Sequence, residues 1–127
     1  MTPTERDITR TVQMEERYKK HKETLDMDNF VFDLENEEIV REFTYWVIIH
    51  NAFPYDGVLQ QHHMLVPRRF FSTPKEINSK EREELEDIKE ILIGEYDGVF
   101  ENLAHKRSVP VHFHIHLFLW RHIQEDQ

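Results

Sequence analysis

The chain has 127 residues, 39% hydrophobic and 32% charged, with a formal net charge of −9; this balance suits one soluble domain around one core. The acidic excess argues against broad nucleic-acid binding through backbone charge, and no apolar run approaches the roughly 18 residues needed to span a bilayer. Cysteine is absent, which excludes disulfides, thiolate zinc sites and a thiol nucleophile and fits a cytoplasmic protein.

The first residues, Met-Thr-Pro-Thr-Glu-Arg-Asp, lack the charged-then-apolar order of a signal peptide. Thr2 suits an N-cap and Pro3 a first helical position, so a helix is expected from there to about Leu25. Its apolar residues are sparse (Ile8, Val12, Met14, Tyr18), which favours a solvated helix laid on the domain over a partner-binding arm. Phe30–Leu34 and Phe43–His50 read as strands. The second, an unbroken aromatic and β-branched run, is expected to be central and buried on both faces. Asn51 to Gln61 reads as a loop, His62–Val66 as a strand stopped by Pro67, and Thr73-Pro74-Lys75-Glu76 as a single helical turn.

From Ser79 a long helix is expected to run to Tyr96, with Leu85, Ile88, Ile91, Leu92, Tyr96 and Val99 on one apolar stripe and Glu83, Glu86, Asp87 and Glu90 facing solvent. Residues 102 to 109 read as a loop, and a last strand, Val111–Trp120, closes the chain. Helix, strands, helix, strand in this order predict an α+β fold with an antiparallel sheet.

The last strand carries the chemistry. His112, His114 and His116 alternate with Phe113, Ile115 and Leu117. Residues two apart share a face, roughly 7 Å apart along the strand, so three imidazoles line one side while apolar residues line the other. The apolar side accounts for the strand but not for the histidines. Spacing alone leaves three readings open: imidazoles satisfied within a core network, a metal site completed by His50, His62, His63 or a carboxylate, or a neutral imidazole that attacks phosphorus between two donors. A phosphate ligand would need local positive charge against the acidic background, with Arg68, Arg69, Lys106, Arg107 and protonated histidines as candidates.

His112-Phe-His114-Ile-His116-Leu-Phe resembles the histidine triad (HIT) signature. Asn51-Ala-Phe-Pro54-Tyr55-Asp56, followed by His62-His63-Met64-Leu65-Val66-Pro67, is similar to the upstream block of that family, and Ser108-Val109-Pro110-Val111-His112 looks like the approach to the triad in its diadenosine polyphosphate hydrolase and phosphorylase branch. The resemblance spans about residues 30 to 121. It implies an N-terminal helical extension over 1–28 and a HIT-like domain over 29–127, with one long helix packed on an antiparallel sheet. By resemblance, His114 is the nucleophile toward the α-phosphorus of a nucleotide or dinucleoside polyphosphate. His112 and His116 orient it and bind phosphate oxygens, and His62 completes the polar network with His63 ranked second. Asn51 meets the ribose and Ser108 the phosphate. The implied mechanism requires no metal or redox cofactor, and the implied assembly is a homodimer. The chain departs from the family pattern at Gln61, where the family has glycine, in the longer span from Asn51 to His62, and in His105-Lys106-Arg107, where Lys106 and Arg107 offer charge in place of a glycine-rich loop.

Overall fold

The computed structural model describes residues 9–24, 32–102 and 112–122. Two α-helices and five strands follow in the order α1 (Val12–Thr24), β1 (Ile39–Glu42), β2 (Trp46–His50), β3 (Leu59–Pro67), a 3-10 turn (Pro74–Glu76), α2 (Ser79–Ile91), β4 (Gly98–Phe100) and β5 (Ile115–Trp120). The strands form one antiparallel sheet in the order β1-β2-β3-β5-β4. This is the α+β architecture expected from the sequence.

Alternation sorts the side chains into two layers. Trp46, Ile48, Leu65, Phe113, Ile115 and Leu117 pack beneath Leu85, Ile88 and Leu92 of the α2 segment. Val47, Ile49, Met64 and Val66 point the other way, under Phe32 and Leu34. The apolar run of β2 is thus covered on both faces, as its continuity suggests.

α2 begins at a capping box: Asn78 Oδ1 accepts from the Glu81 N–H at 2.8 Å, and Glu81 Oε1 accepts from the Asn78 N–H at 2.9 Å. The helix ends five residues before the expected Tyr96. Its C-cap is Leu92, and Gly94 at φ 90° takes the left-handed conformation that turns the chain out. Tyr96 and Val99 therefore leave the helix, and β4 forms where no strand is expected. Gly98 pairs with Phe118 there, so close that an added Cβ would lie 2.9 Å from its ring.

Two further expectations are corrected. Phe32–Leu34 is not a strand: the Asp33 carbonyl accepts from Asn36 and Glu37 and its carboxylate accepts from Glu35 N–H, so the segment turns. β1 forms downstream instead. Phe43–Tyr45 are not part of β2, because Phe43 N–H bonds the Trp46 carbonyl across the β1–β2 turn and Glu84 accepts from the Tyr45 and Trp46 N–H groups. The helix start at Thr2-Pro3 lies outside the described residues.

Candidate functional site

The sheet face opposite α2 carries the histidines. His116 lies in β5 opposite Met64 of β3 and Phe100 of β4. His112 and His114 precede the strand, in a segment held by the Phe113 N–H to Phe71 carbonyl bond of 2.7 Å. All three rings are buried, as is that of His62 on β3. The His62 and His116 rings are 4.8 Å apart, and those of His114 and His116 5.0 Å. Phe32 covers His112 and His114, while Phe100 stacks on His116 at 4.4 Å and 12°.

Hydrogen bonds fix how the protons sit on these rings. The His112 carbonyl can only accept, so at 2.9 Å it requires hydrogen on His114 Nδ1. In the neutral ring the lone pair is then on His114 Nε2. Tyr55 N–H donates to His62 Nδ1 at 3.0 Å, which puts hydrogen on His62 Nε2 and aims it at His116 Nδ1, 2.7 Å away. The proton of His116 therefore sits on Nε2; Asn102 Nδ2, 3.5 Å from that nitrogen, is itself a donor and does not accept it. Likewise His112 Nδ1 accepts from Phe32 N–H at 3.1 Å, leaving its Nε2–H directed at the Pro67 carbonyl, 3.5 Å away. The triad is chemically uneven: His114 offers a lone pair where His112 and His116 offer N–H donors.

Burial keeps the supporting rings neutral. Desolvation, joined by neighbouring positive charge, lowers His62 to about 3 and His116 to about 2. His112 is lowered to about 4, again chiefly by desolvation. Among the described residues, no group of three His, Cys, Asp or Glu side chains is arranged to hold a metal ion. The ring nitrogens instead bond to one another and to backbone.

The loop after β2 frames the site. Asn51 Oδ1 accepts from Phe53 N–H at 2.9 Å, and its amide nitrogen lies 3.3 Å from His62 Nδ1, so the structure brings Asn51 to the histidine cluster. Tyr55 places its ring 4.6 Å from His62 and 5.9 Å from His116. His63 is not brought to the triad. It faces the α2 side, where Tyr96 Oη lies 2.5 Å from its Nδ1 and His50 stands edge-on, at the rim of a cavity of about 380 Å³ lined also by Gln61 and Arg121. Burial lowers His63 to about 4.

Arg68 and Arg69 are not brought to the site either. Arg68 donates to the Phe43 carbonyl and pairs with Glu42, and Arg69 pairs at 2.8 Å with the buried carboxylate of Glu81. Burial alone would raise Glu81, but the Arg69 and Asn78 hydrogen bonds override it and hold the carboxyl below its usual value. Ser108, Lys106 and Arg107 lie outside the described residues. The sequence reading missed Phe32, Tyr55, Asn102 and Arg10. For the first three, the signal was an aromatic or amide residue within or beside a motif-bearing segment; for Arg10 there was none, because only the docking of the N-terminal segment brings it near.

No family model and no curated protein matches the chain. Its fold is similar to that of a solved histidine triad protein from Clostridium difficile, with a TM-score of 0.50 and 20% sequence identity over 72% of this chain and 84% of that one. The likeness establishes the fold.

Proposed function

We propose that this chain is a histidine triad nucleotide hydrolase or nucleotidyltransferase that cleaves a bond to the α-phosphate of a nucleoside phosphate through a nucleotidyl-His114 intermediate. The observation that carries the reading is the 2.9 Å bond from His114 Nδ1 to the His112 carbonyl, which leaves the lone pair of the central histidine on Nε2 while its neighbours carry N–H donors. In the first step His114 Nε2 attacks the α-phosphorus. An N–P bond forms, the bond to the leaving group breaks, and the leaving group departs with that electron pair. The Nε2–H of His116, and that of His112 once it turns from its long 3.5 Å contact with the Pro67 carbonyl, suit the phosphate oxygens, where charge builds in the transition state. In the second step water or another acceptor attacks the same phosphorus and the N–P bond breaks. Nε2 recovers its lone pair, and the proton of the attacking water passes to solvent.

The pairing of His62 with His116 orients rather than reacts. It locks the His116 ring so that Nε2, not Nδ1, presents the proton. Intact-mass analysis after rapid quenching with a dinucleoside polyphosphate tests the mechanism. We expect wild-type protein to gain one nucleotidyl mass, and His114→Ala to show no adduct and a turnover lower by about 10³-fold or more. Turnover that survives His114→Ala would sink it.

A further inference from the structure

Arg10 precedes α1, in a segment tied to the loop after β2 by three interactions. The Thr11 N–H and hydroxyl donate to the two carboxylate oxygens of Asp56 at 2.8 and 3.0 Å, and Gly57 N–H donates to the Thr9 carbonyl at 2.9 Å. Arg10 Nε–H donates to the Phe53 carbonyl at 2.9 Å, and the guanidinium carbon lies 4.1 Å from the ring centre of Tyr18 and 4.8 Å from that of Tyr55. Tyr55 is the residue that packs on His62 and His116. Among the described residues no carboxylate pairs with this half-buried cation, and its terminal nitrogens have no hydrogen-bond partner. Asp56, the carboxylate on the facing loop, is taken by Thr11. An unpaired, partly desolvated guanidinium in a chain of net charge −9 is costly unless an anion meets it.

The histidine network supplies the second observation. The one ring N–H of His62 is committed to His116 Nδ1, the Nε2–H of His116 serves the phosphate oxygens in the step proposed above, and burial keeps both rings uncharged at neutral pH. Such a pair has no surplus proton for a basic leaving atom. It suits a leaving group that departs as a stable anion.

Resting on the function proposed above, we infer that Arg10 is a leaving-group binding residue and that the substrate bears a further phosphate beyond the α-phosphate, which the Arg10 guanidinium grips by its terminal N–H groups. The N-terminal segment thereby sets specificity, selecting nucleoside polyphosphates over nucleotides whose α-phosphate carries a neutral substituent. Arg suits this role better than Lys because its planar fork can stay against the Tyr18 and Tyr55 rings while binding two oxygens.

The test uses the full chain with His114→Asn, so that ligand is not consumed, titrated calorimetrically with adenosine triphosphate and adenosine monophosphate. We expect the triphosphate to bind at least about tenfold tighter than the monophosphate. Arg10→Gln should abolish that preference while leaving monophosphate affinity within about twofold, and Arg10→Lys should retain part of it. Thr11→Val, which loosens the tether to Asp56 and keeps Arg10, should weaken the preference in the same direction. Equal losses for both ligands in Arg10→Gln and Arg10→Lys would mean that Arg10 only braces the loop, and the inference fails while the proposed function stands. Binding of neither nucleotide to the parent protein would overturn both together.

Discussion

The uneven triad is a statement about single hydrogen atoms, and it can be checked at that level. With His114 holding its proton on Nδ1 and His62, His112 and His116 on Nε2, imidazole nitrogen-15 spectra at pH 7 should show one Nδ1–H tautomer among these four rings. We expect His62→Ala to release His116 into a mixture of tautomers and leave His114 unchanged, because the His114 bond goes to backbone. A wild-type spectrum with His114 as the Nε2–H tautomer would remove the attacking lone pair and the mechanism with it. At this scale much was legible beforehand. Alternation grouped His112, His114 and His116, although only His116 lies in β5 and the other two belong to the segment before the strand, and Asn51 and His62 stand beside them. The tautomers were not legible, since they depend on a carbonyl at 2.9 Å and on the Tyr55 N–H, which no spacing encodes. Nor was the fate of Arg69: a surface-type arginine next to the motif turned out to neutralise Glu81, a buried acid on the same helical face as Leu85 and Ile88.

The elements explain why the site has two walls. α2 stops at Ile91 because Gly94 adopts φ 90°. The chain can then form β4, whose Phe100 stacks on His116. A side chain at Gly94 would meet nothing within 4 Å, so Gly94→Ala is a test of backbone conformation alone. We expect it to destabilise the fold by about 1 kcal/mol, read as a lowered urea midpoint with an unchanged slope. An unchanged midpoint would show that the turn tolerates a different conformation. The apolar stripe misled at this point because Tyr96 and Val99 continue the helical spacing past the glycine, while only three residues, Gly98–Phe100, mark the strand. Phe32 misled in the same way: a strand-like run packs over the histidines through one aromatic ring, and Asp33 captures the local N–H groups in a turn. The centres of β2 and β3 and the 3-10 turn were readable from an unbroken apolar run and from Pro67 and Pro74, but β3 starts at Leu59, inside the expected loop, and takes in Pro67, which pairs with Trp46.

For the whole molecule, burying imidazoles in the neutral form ties stability to pH. His62, His112 and His116 are lowered in the folded chain from an ordinary value near 6.5 to about 3, 4 and 2. Below pH 6.5 the unfolded chain therefore binds protons that the folded chain refuses. Stability is fully present above that pH and falls as acid is added, down to the folded values. His62 and His116, the most deeply set pair, each contribute a slope of up to about 1.4 kcal/mol per pH unit through this window. His63, lowered to about 4 on the opposite face, adds to the slope with the same sign but is screened by its shallower setting. Glu81 enters later. Its carboxyl is held below 4.5, so the stability it contributes is present above that pH and disappears as the group protonates at lower pH. We expect urea unfolding to show a free energy that is level from pH 8 to 7 and falls by several kcal/mol by pH 5. His116→Asn should remove about one proton from the uptake on unfolding between pH 6 and 4. A free energy that stays flat from pH 7 to 5 would mean the imidazoles are protonated in the folded chain. The His62–His116 relay could not then have the tautomers that present His116 Nε2–H to phosphate.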